Sequence, residues 1–484
     1  METNTLLTIS FIVYSVGIVL FGLYSTKAKK DTTDDFVLAN RELGPWASSL
    51  SASASSESGW VMLGLVGETF VVGLSTIWIL FGIGVGYMFN WFIIAERLRK
   101  FTTESGAVTL PQYISHRFDK NSKALIIIPV IIIVAAMLGY VAAQMNAAGK
   151  AFDAVFHLPY WIGVIAGAVI ILTYTVTGGF RAICWTDIIQ AFFMVIALIF
   201  MPFVVLNHLD GLSTALDKLN AMNPGLLTFT GQNTGFTLLG FILGMFGIGF
   251  GYPGQPQILA RFMAAKDTKS VKRAGMIAFI WFLLVYIGAI LFGLFARAYF
   301  GTLADPEQAL PFACSEFLPP ILGGFVIAAI VAAICSTADS QLIVISTTFS
   351  RDIIPFFKKN INTDNSASKI KVTQSLDRWI LIILAIISVF FALTENRLIF
   401  EFVLYAWSAM GAAFGPVIIL GLLWKKANKA GAIAAMVTGA LVTVIWRNIP
   451  ILKSTLYELV PAFVLAFLAM IIFSLFFKEN QHES

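Results

Sequence analysis

The chain has 484 residues, of which 58% are hydrophobic and only 12% are charged, and its mean hydropathy is +0.84. These values exclude an ordinary water-soluble protein and indicate an α-helical protein that crosses the membrane many times, because apolar runs of about 20 residues recur along its length. The net charge of +5 does not indicate nucleic-acid binding, since the basic residues lie in short segments between apolar runs, where membrane topology explains them.

Thirteen spans are predicted, and the first is interpreted as a retained span because lysines follow it where a signal peptide would be cleaved. Numbered from 1 to 13, the spans are 5–26, 44–70, 73–95, 124–153, 161–180, 187–207, 236–258, 275–299, 318–346, 378–395, 399–424, 431–447 and 458–477. Alternate connecting segments hold 26 of the 32 lysines and arginines. The positive-inside rule therefore predicts an external N-terminus and a cytoplasmic C-terminus in the cell (inner) membrane.

Span 2 contains an unusual polar stretch, residues 50–67, with the sequence LSASASSESGWVMLGLVG. Clustered serines together with glycine predict a helix that breaks at membrane depth and frees carbonyls and hydroxyls to hold a ligand. Glu57 lies in the middle of this stretch, and a carboxylate at that depth is costly enough to mark a functional site. The alternative is a packing seam of small residues, which leaves Glu57 unexplained.

Span 7 is the counterpart of span 2, because five glycines and two prolines interrupt it between residues 244 and 256. The two broken spans are five spans apart, so they cross the membrane in opposite directions and predict two inverted five-helix repeats around a midplane site. We therefore predict an all-α, single transmembrane transporter domain over residues 1–484, with an inverted-repeat core. Its parts are an N-terminal helix and loop (1–40), a core (41–424) with repeats of about 41–207 and 236–424, and two C-terminal helices (425–484).

Span 9 places Ala333, Ser336, Thr337 and Ser340 on one helical face. Hydroxyl and carbonyl oxygens on such a face are hard ligands that suit an alkali cation. The hydroxyls equally well bond to carbonyls of their own helix, so the pattern leaves both interpretations open.

Two further polar places lie in spans 4 and 6. Asp187 has three interpretations: an ion relay, a partner of Arg181, or an acid at a helix N-terminus. In span 4, Tyr140 with Gln144 and Asn146 is typical of hydrogen bonds between membrane helices.

The sequence contains none of the common enzyme signatures: no HExxH, GxSxG, Walker loop or CxxC pair. We therefore expect a transporter driven by an ion gradient and no enzymatic activity. A non-transporting sensor or solute-gated channel is the rival, although the last residues, KENQHES, leave no room for a signalling domain.

The chain resembles the sodium/solute symporter family, most closely its sodium/proline symporters, through motifs that follow one another from span 1 to span 13. The matching motifs are Arg41-Glu42-Leu43-Gly44-Pro45, Ser58-Gly59-Trp60, Leu63-Gly64-Leu65, Leu110-Pro111, Arg117-Phe118, Thr177-Gly178-Gly179-Phe180, Trp185-Thr186-Asp187, Gly254-Gln255-Pro256, Ile258-Leu259-Ala260-Arg261-Phe262-Met263-Ala264-Ala265, Ser336-Thr337, Tyr405-Ala406-Trp407 and Gly411-Ala412-Ala413-Phe414-Gly415-Pro416. The resemblance implies thirteen helices, a LeuT-type core and uptake of a small amino acid, L-proline, coupled to sodium by alternating access.

The resemblance also implies site residues. Sodium would be held by the carbonyls of Ala54, Glu57 and Ala333 and the hydroxyls of Ser336 and Thr337, with Ser56 and Asp187 as accessory ion residues. The residues implied for the substrate are Ser58, Trp60, Tyr140, Ile248, Tyr252, Gln255 and Pro256.

Two positions depart from the proline symporters. Those proteins carry an aspartate where this chain has Ser56, and the carboxylate here is displaced by one position to Glu57, which points about 100° away on a helix. Two interpretations follow: sodium binding with Glu57 as a nearby counter-charge, or proton coupling through Glu57. Ile248 replaces a tryptophan, so another small amino acid or a carboxylate such as pantothenate or a short organic acid is the alternative substrate.

Overall fold

The structure is a computed structural model that describes residues 2–25, 33–357, 366–394 and 399–477. Within these ranges the chain is built from helices and short connections, and a single isolated bridge joins Leu43 to Ala265. The predicted all-α class is confirmed. Lys27, Lys29 and Lys30 and the tail from Lys478 onward lie outside the described residues.

The spans occupy these helices: span 1, Glu2–Ser25; span 2, Pro45–Gly59, Trp60–Leu65 and Val66–Val72; span 3, Ile77–Phe89, Asn90–Ile94 and Ala95–Ser105; span 4, Ala124–Phe156; spans 5 and 6, Tyr160–His208; span 7, Gly235–Gly247, Ile248–Gly254 and Pro256–Ala264; span 8, Thr268–Phe300; span 9, Pro320–Thr348, Phe349–Ile353 and Ile354–Phe357; span 10, Ser366–Thr394; span 11, Ile399–Leu423; span 12, Lys429–Asn448; span 13, Leu459–Phe476. Short helices connect them: Thr33–Leu38, Ala39–Arg41, Gly73–Thr76, Leu110–Phe118, Leu212–Met222, Pro224–Leu227, Pro306–Gln308, Ala309–Phe317 and Pro450–Thr455.

In the described part of the chain, eleven helices are long and apolar enough to cross a membrane. Spans 2 and 3 count once in that number because they form one helical run, Pro45–Ser105, and span 5 contributes only the shorter apolar segment Tyr160–Thr173. The count of thirteen stays a prediction.

One predicted connection is wrong. Residues 181–186, expected to be a loop, are helical, because spans 5 and 6 are separated by a kink at Gly179 (φ 62°, ψ −165°) instead of a loop. Phe36 packs where a side chain at Gly179 would lie, so this bend needs glycine both for its backbone angles and for space. The helix that contains span 10 begins at Ser366, and its apolar part, Ser375–Thr394, starts three residues before the predicted span at 378.

Span 7 is interrupted as predicted. Its first helix ends at Gly247, a tight turn covers Ile248–Gly254, and the second helix begins at Pro256, where the missing N–H of proline is harmless. The turn packs against spans 3 and 11, while span 2 packs against span 9. The two broken spans therefore lie together in the core of the bundle.

Close backbone contact between span 3 and the turn of span 7 depends on glycine. A Cβ atom added at Gly249 would collide with the backbone of Gly82, and one added at Gly86 would collide with Gly249. We expect Gly249→Ala to lower the stability of the protein in detergent by about 1–3 kcal/mol, since packed backbone has no flexible side chain that gives way. Thermal unfolding followed by size-exclusion chromatography measures this effect.

Gly84→Ala is the matched control for that variant. Gly84 lies in span 3, two residues after Gly82, but the nearest atoms to an added Cβ are ring carbons of Phe282 at 3.4 and 3.5 Å, an ordinary contact. If both variants lose the same stability, the glycines act through backbone flexibility and not through the close contact between span 3 and the turn of span 7.

Candidate cation and substrate site

Span 2 breaks at Ser58, whose backbone (φ 43°, ψ −175°) lies in a region that side chains rarely adopt. The strained turn is held from two sides: the Ser58 hydroxyl accepts the N–H of Trp60 at 2.9 Å, and the side-chain oxygen of Gln144 accepts the N–H of Gly59 at 3.1 Å. Backbone groups freed at membrane depth need such partners. The broken helix predicted over residues 50–67 is thus confirmed, and Gln144 is the span 4 residue that stabilises the break.

The hydroxyl face of span 9 meets the backbone of span 2 just before this break. Ser336 donates to the carbonyls of Ala54 (3.0 Å) and Ala333 (3.1 Å). Thr337 Oγ1 lies 3.3 Å from the carbonyls of both Ala54 and Ser55. All of these residues are fully buried.

Four of the five predicted sodium ligands are therefore brought together from two spans that lie about 280 residues apart in sequence. Carbonyl and hydroxyl oxygens of this kind replace the hydration shell of a hard alkali cation. The fifth predicted ligand, the Glu57 carbonyl, accepts the N–H of Trp60.

A buried ionic network adjoins the cluster. The Asp187 carboxylate accepts from Arg261 at 3.2 Å and from the Ser51 hydroxyl at 2.6 Å, and Arg261 also donates to Ser51 at 3.0 Å. Ser340 joins this network to the cation cluster, because it contacts Arg261 and lies 2.9 Å from the Ser55 hydroxyl. The network ties together spans 2, 6, 7 and 9.

Two of the three interpretations of Asp187 are wrong. Arg181 bonds instead to Asp35 and Glu42, so it is not the partner of Asp187. Asp187 also lies well inside the helix that continues past Gly179, which removes the helix N-terminus interpretation. The partner, Arg261, comes from the second half of span 7, and its guanidinium also stacks over Phe180 at 4.8 Å.

A narrow aromatic cavity of about 10 Å³, room for a single water molecule, lies next to the break of span 2 and the turn of span 7. Tyr252 anchors one wall and packs at right angles against Tyr87 (ring centroids 5.1 Å apart) and Trp407 (5.0 Å). The residues that line the cavity are Ser56, Trp60, Ile83, Tyr140, Ile248, Tyr252, Tyr286, Val403, Leu404 and Trp407.

Four of the seven predicted substrate residues line this cavity: Trp60, Tyr140, Ile248 and Tyr252. Ser58 adjoins it through a hydrogen bond with Tyr140.

The remaining two predicted substrate residues lie elsewhere. Gln255 donates to the carbonyls of Gly251 (3.2 Å) and Trp407 (3.1 Å), which holds spans 7 and 11 together. Pro256 lines a second pocket with Phe180 and Ile343.

Comparison with known proteins places this architecture in a family. The sodium:solute symporter family profile matches residues 36–439, most of the chain. The chain belongs to the sodium:solute symporter family. This family member is 35% identical to the osmoregulated proline transporter OpuE of Bacillus subtilis (97% of this chain and 95% of the relative). It is 34% identical to the sodium/proline symporter of Escherichia coli (99% and 94%).

Solved structures support the fold of this sodium:solute symporter family protein. A substrate-bound, outward-open Na⁺-coupled sialic acid symporter superposes with a TM-score of 0.81 at 18% identity, covering 98% of both chains. MhsT in complex with L-phenylalanine matches with a TM-score of 0.56 at 16% identity (89% of this chain and 97% of that one). These likenesses confirm the predicted inverted-repeat architecture.

Several residues of the symporter site were not predicted. Tyr286 of span 8 and Trp407 of span 11 line the cavity, and Trp407 donates its indole N–H to the Ile248 carbonyl at 3.0 Å. Trp407 belongs to the motif Tyr405-Ala406-Trp407, which could have indicated it. Nothing in the sequence around Tyr286 indicates that it lines the cavity.

The segment between spans 8 and 9 also contributes a buried ion pair. Glu307 accepts from Lys150 at 2.7 Å and from the backbone N–H groups of Ile399 (3.0 Å) and Phe400 (2.8 Å). Its carboxylate therefore caps the start of span 11, where the helix dipole favours an anion.

Proposed function

We propose that this chain is a sodium-coupled secondary active symporter that imports a small amino acid, L-proline, by alternating access. The observation that carries the proposal is the junction of spans 2 and 9, where carbonyls freed near a helix break meet two hydroxyls beside an aromatic cavity. The proline transporters and sodium/proline symporters that the chain matches over nearly its full length support the same activity.

In this mechanism, sodium is bound by the Ala54 and Ala333 carbonyls and the Ser336 and Thr337 hydroxyls, with the Glu57 carbonyl as the fifth ligand. The cation bridges two spans that also meet through hydroxyl–carbonyl hydrogen bonds and the Ser55–Ser340 contact. Bridging favours one arrangement of the bundle over the other, which is how a ligand shifts a conformational equilibrium. The bound cation also orders the break of span 2. The residues directly after the break include Trp60, which lines the cavity.

The substrate binds at the aromatic cavity once its walls move apart, and the apolar rings then pack on a pyrrolidine ring. Release follows past Asp187, whose network with Arg261 and Ser51 closes the path between spans 2, 6, 7 and 9. Opening toward that side requires this network to separate.

Ile248 favours one alternative of the same class: another small amino acid, or a carboxylate such as pantothenate or a short organic acid. Its aliphatic side chain lines the cavity and offers no hydrogen-bond donor, so the polar groups of the substrate must be met elsewhere.

The protein crosses a membrane many times. We place it in the cell (inner) membrane with the N-terminus outside and the C-terminus in the cytoplasm, because 26 of the 32 basic residues then face inward. The inverted-repeat core is assigned to residues 41–424 of a single transmembrane domain.

Uptake of radiolabelled L-proline into proteoliposomes tests the function. We expect accumulation when an inward sodium gradient is imposed and none when choline replaces sodium, because the gradient is the only energy source in that preparation. Uptake that does not depend on sodium but increases when the external pH is lowered would reject sodium coupling. Uptake of pantothenate but not of proline would show that proline is the wrong substrate.

A further inference from the structure

The carboxylate of Glu57 is the least explained group in the core. The residue is fully buried, and neither carboxylate oxygen has a hydrogen-bond partner. Burying an ionised carboxylate at membrane depth without compensation is costly, so such groups are normally paired or bind ligands. Within the described residues, the buried cations nearest the core have other partners: Arg261 bonds to Asp187 and Lys150 bonds to Glu307.

The direction of the Glu57 side chain follows from its neighbour one turn earlier. Ser53 and Glu57 are four residues apart in the helix Pro45–Gly59, so both side chains lie on one face. The Ser53 hydroxyl lies 2.6 Å from the phenolic oxygen of Tyr87 in span 3. Glu57 therefore points toward span 3, whereas the carbonyl of Ala54 faces span 9.

The surroundings of this carboxylate are rich in hydroxyl oxygen. Tyr87, Tyr252 and Tyr286 each lie within electrostatic range of Glu57. Tyr252, Tyr286 and Ser56 line the same cavity, and the Ser56 hydroxyl donates to the Ser53 carbonyl at 2.9 Å. Four spans (2, 3, 7 and 8) thus contribute hydroxyl groups around one carboxylate that has no partner.

We propose that the Glu57 carboxylate, with hydroxyls of Ser53, Ser56, Tyr87 and Tyr252, forms a second sodium site, separate from the one at spans 2 and 9. Carboxylate and hydroxyl oxygens are hard ligands, and a single carboxylate balances the charge of a monovalent cation. A bound sodium ion supplies the partner that both Glu57 oxygens lack.

The two sites have different consequences for transport. The first cation joins span 2 to span 9, and the second joins span 2 to spans 3, 7 and 8, next to the aromatic cavity. The inference rests on the proposed function, to which it adds a stoichiometry: two sodium ions and two positive charges enter with each zwitterionic substrate.

Glu57→Gln tests the site because it keeps the shape of the side chain and removes its charge. In proteoliposomes, the wild type should show a Hill coefficient for sodium of about 2, and the variant a value of about 1, since the coefficient is bounded by the number of sites. Net charge moved per proline should fall from two to one. Glu57→Asp, which keeps the charge, should retain the wild-type stoichiometry.

Equilibrium binding of radioactive sodium to the purified protein in detergent keeps the proposal falsifiable if Glu57→Gln does not transport. We expect two bound ions per wild-type chain and one per variant chain, for protein that elutes as a single folded peak. This measurement needs no substrate, so it still reports on Glu57 if proline proves to be the wrong substrate.

Three outcomes would overturn the second site: one bound ion in the wild type, two in Glu57→Gln, or a variant that changes only the proline concentration needed for half-maximal uptake. The last result would assign Glu57 to the ammonium group of the substrate. Glu96→Gln is the matched control, because Glu96 is surface-exposed and pairs with Lys272 at 3.2 Å, and it should leave both measurements unchanged.

Discussion

Replacing Ser336 and Thr337 together by alanine is expected to abolish sodium-driven uptake at ordinary sodium concentrations. Both hydroxyls face the carbonyls of span 2, and Ser336 also reaches the Ala333 carbonyl of its own helix. Alanine removes two of the five proposed oxygen ligands and leaves the Ala54 carbonyl without its hydrogen bonds from span 9. The cation then has too few ligands to replace its water.

The size of the effect follows from the energy of hydrogen bonds and contacts to charged groups, about 1.5–3 kcal/mol each. Losing two such contacts raises the sodium concentration for half-maximal uptake by roughly a hundredfold or more, since each 1.4 kcal/mol is about tenfold. Initial rates of proline uptake over a sodium titration, in proteoliposomes with equal protein content, measure the shift.

Ser346→Ala with Thr347→Ala is the matched control in the same helix. These two hydroxyls bond to carbonyls one turn earlier in span 9, Ser346 to Ile343 at 3.1 Å and Thr347 to Ile343 at 2.7 Å. The control should retain the sodium dependence of the wild type. A Ser336→Ala, Thr337→Ala variant with unchanged sodium dependence would remove span 9 from the cation site.

Local sequence signals were sufficient to predict the broken spans and the hydroxyl face of span 9, whereas the set of cation ligands followed from the family resemblance. Glycine, proline and serine accumulate where a membrane helix cannot continue, and the spacing of Ser336 and Thr337 places both on one helical face. Which residue adopts the strained backbone was not predictable. The structure places it at Ser58, one residue before a glycine, because Gln144 of span 4 holds the following N–H.

The remaining differences between the predicted and the observed site arise from contacts between residues far apart in the sequence. Sequence proximity suggested Arg181 as a partner for Asp187, six residues away, but the bend at Gly179 directs Arg181 to Asp35 and Glu42. Arg261 reaches Asp187 from 74 residues away because the second half of span 7 and span 6 both pack against span 2. Tyr286 joins the cavity for the same kind of reason: only tertiary packing brings span 8 to spans 2 and 3.

Arg261→Ala is expected to produce the largest loss of stability of any single variant in the core. Arg261 and Asp187 are both completely buried, and the guanidinium donates to Asp187, Ser51 and the Gln257 carbonyl. Removing one partner of a buried ion pair leaves an uncompensated charge and costs about 3–5 kcal/mol. We expect a lower unfolding temperature in detergent and a lower yield of folded protein.

Two further variants separate charge from packing. Asp187→Asn combined with Arg261→Gln removes both charges and should recover much of the lost stability, because neither member of the pair is left charged without the other. Lys272→Ala breaks the exposed pair with Glu96 and should change stability by less than about 1 kcal/mol, since exposed ion pairs contribute little. If the double variant is as unstable as Arg261→Ala, the hydrogen bonds and the stacking on Phe180, and not the charge of Asp187, hold spans 6 and 7 together.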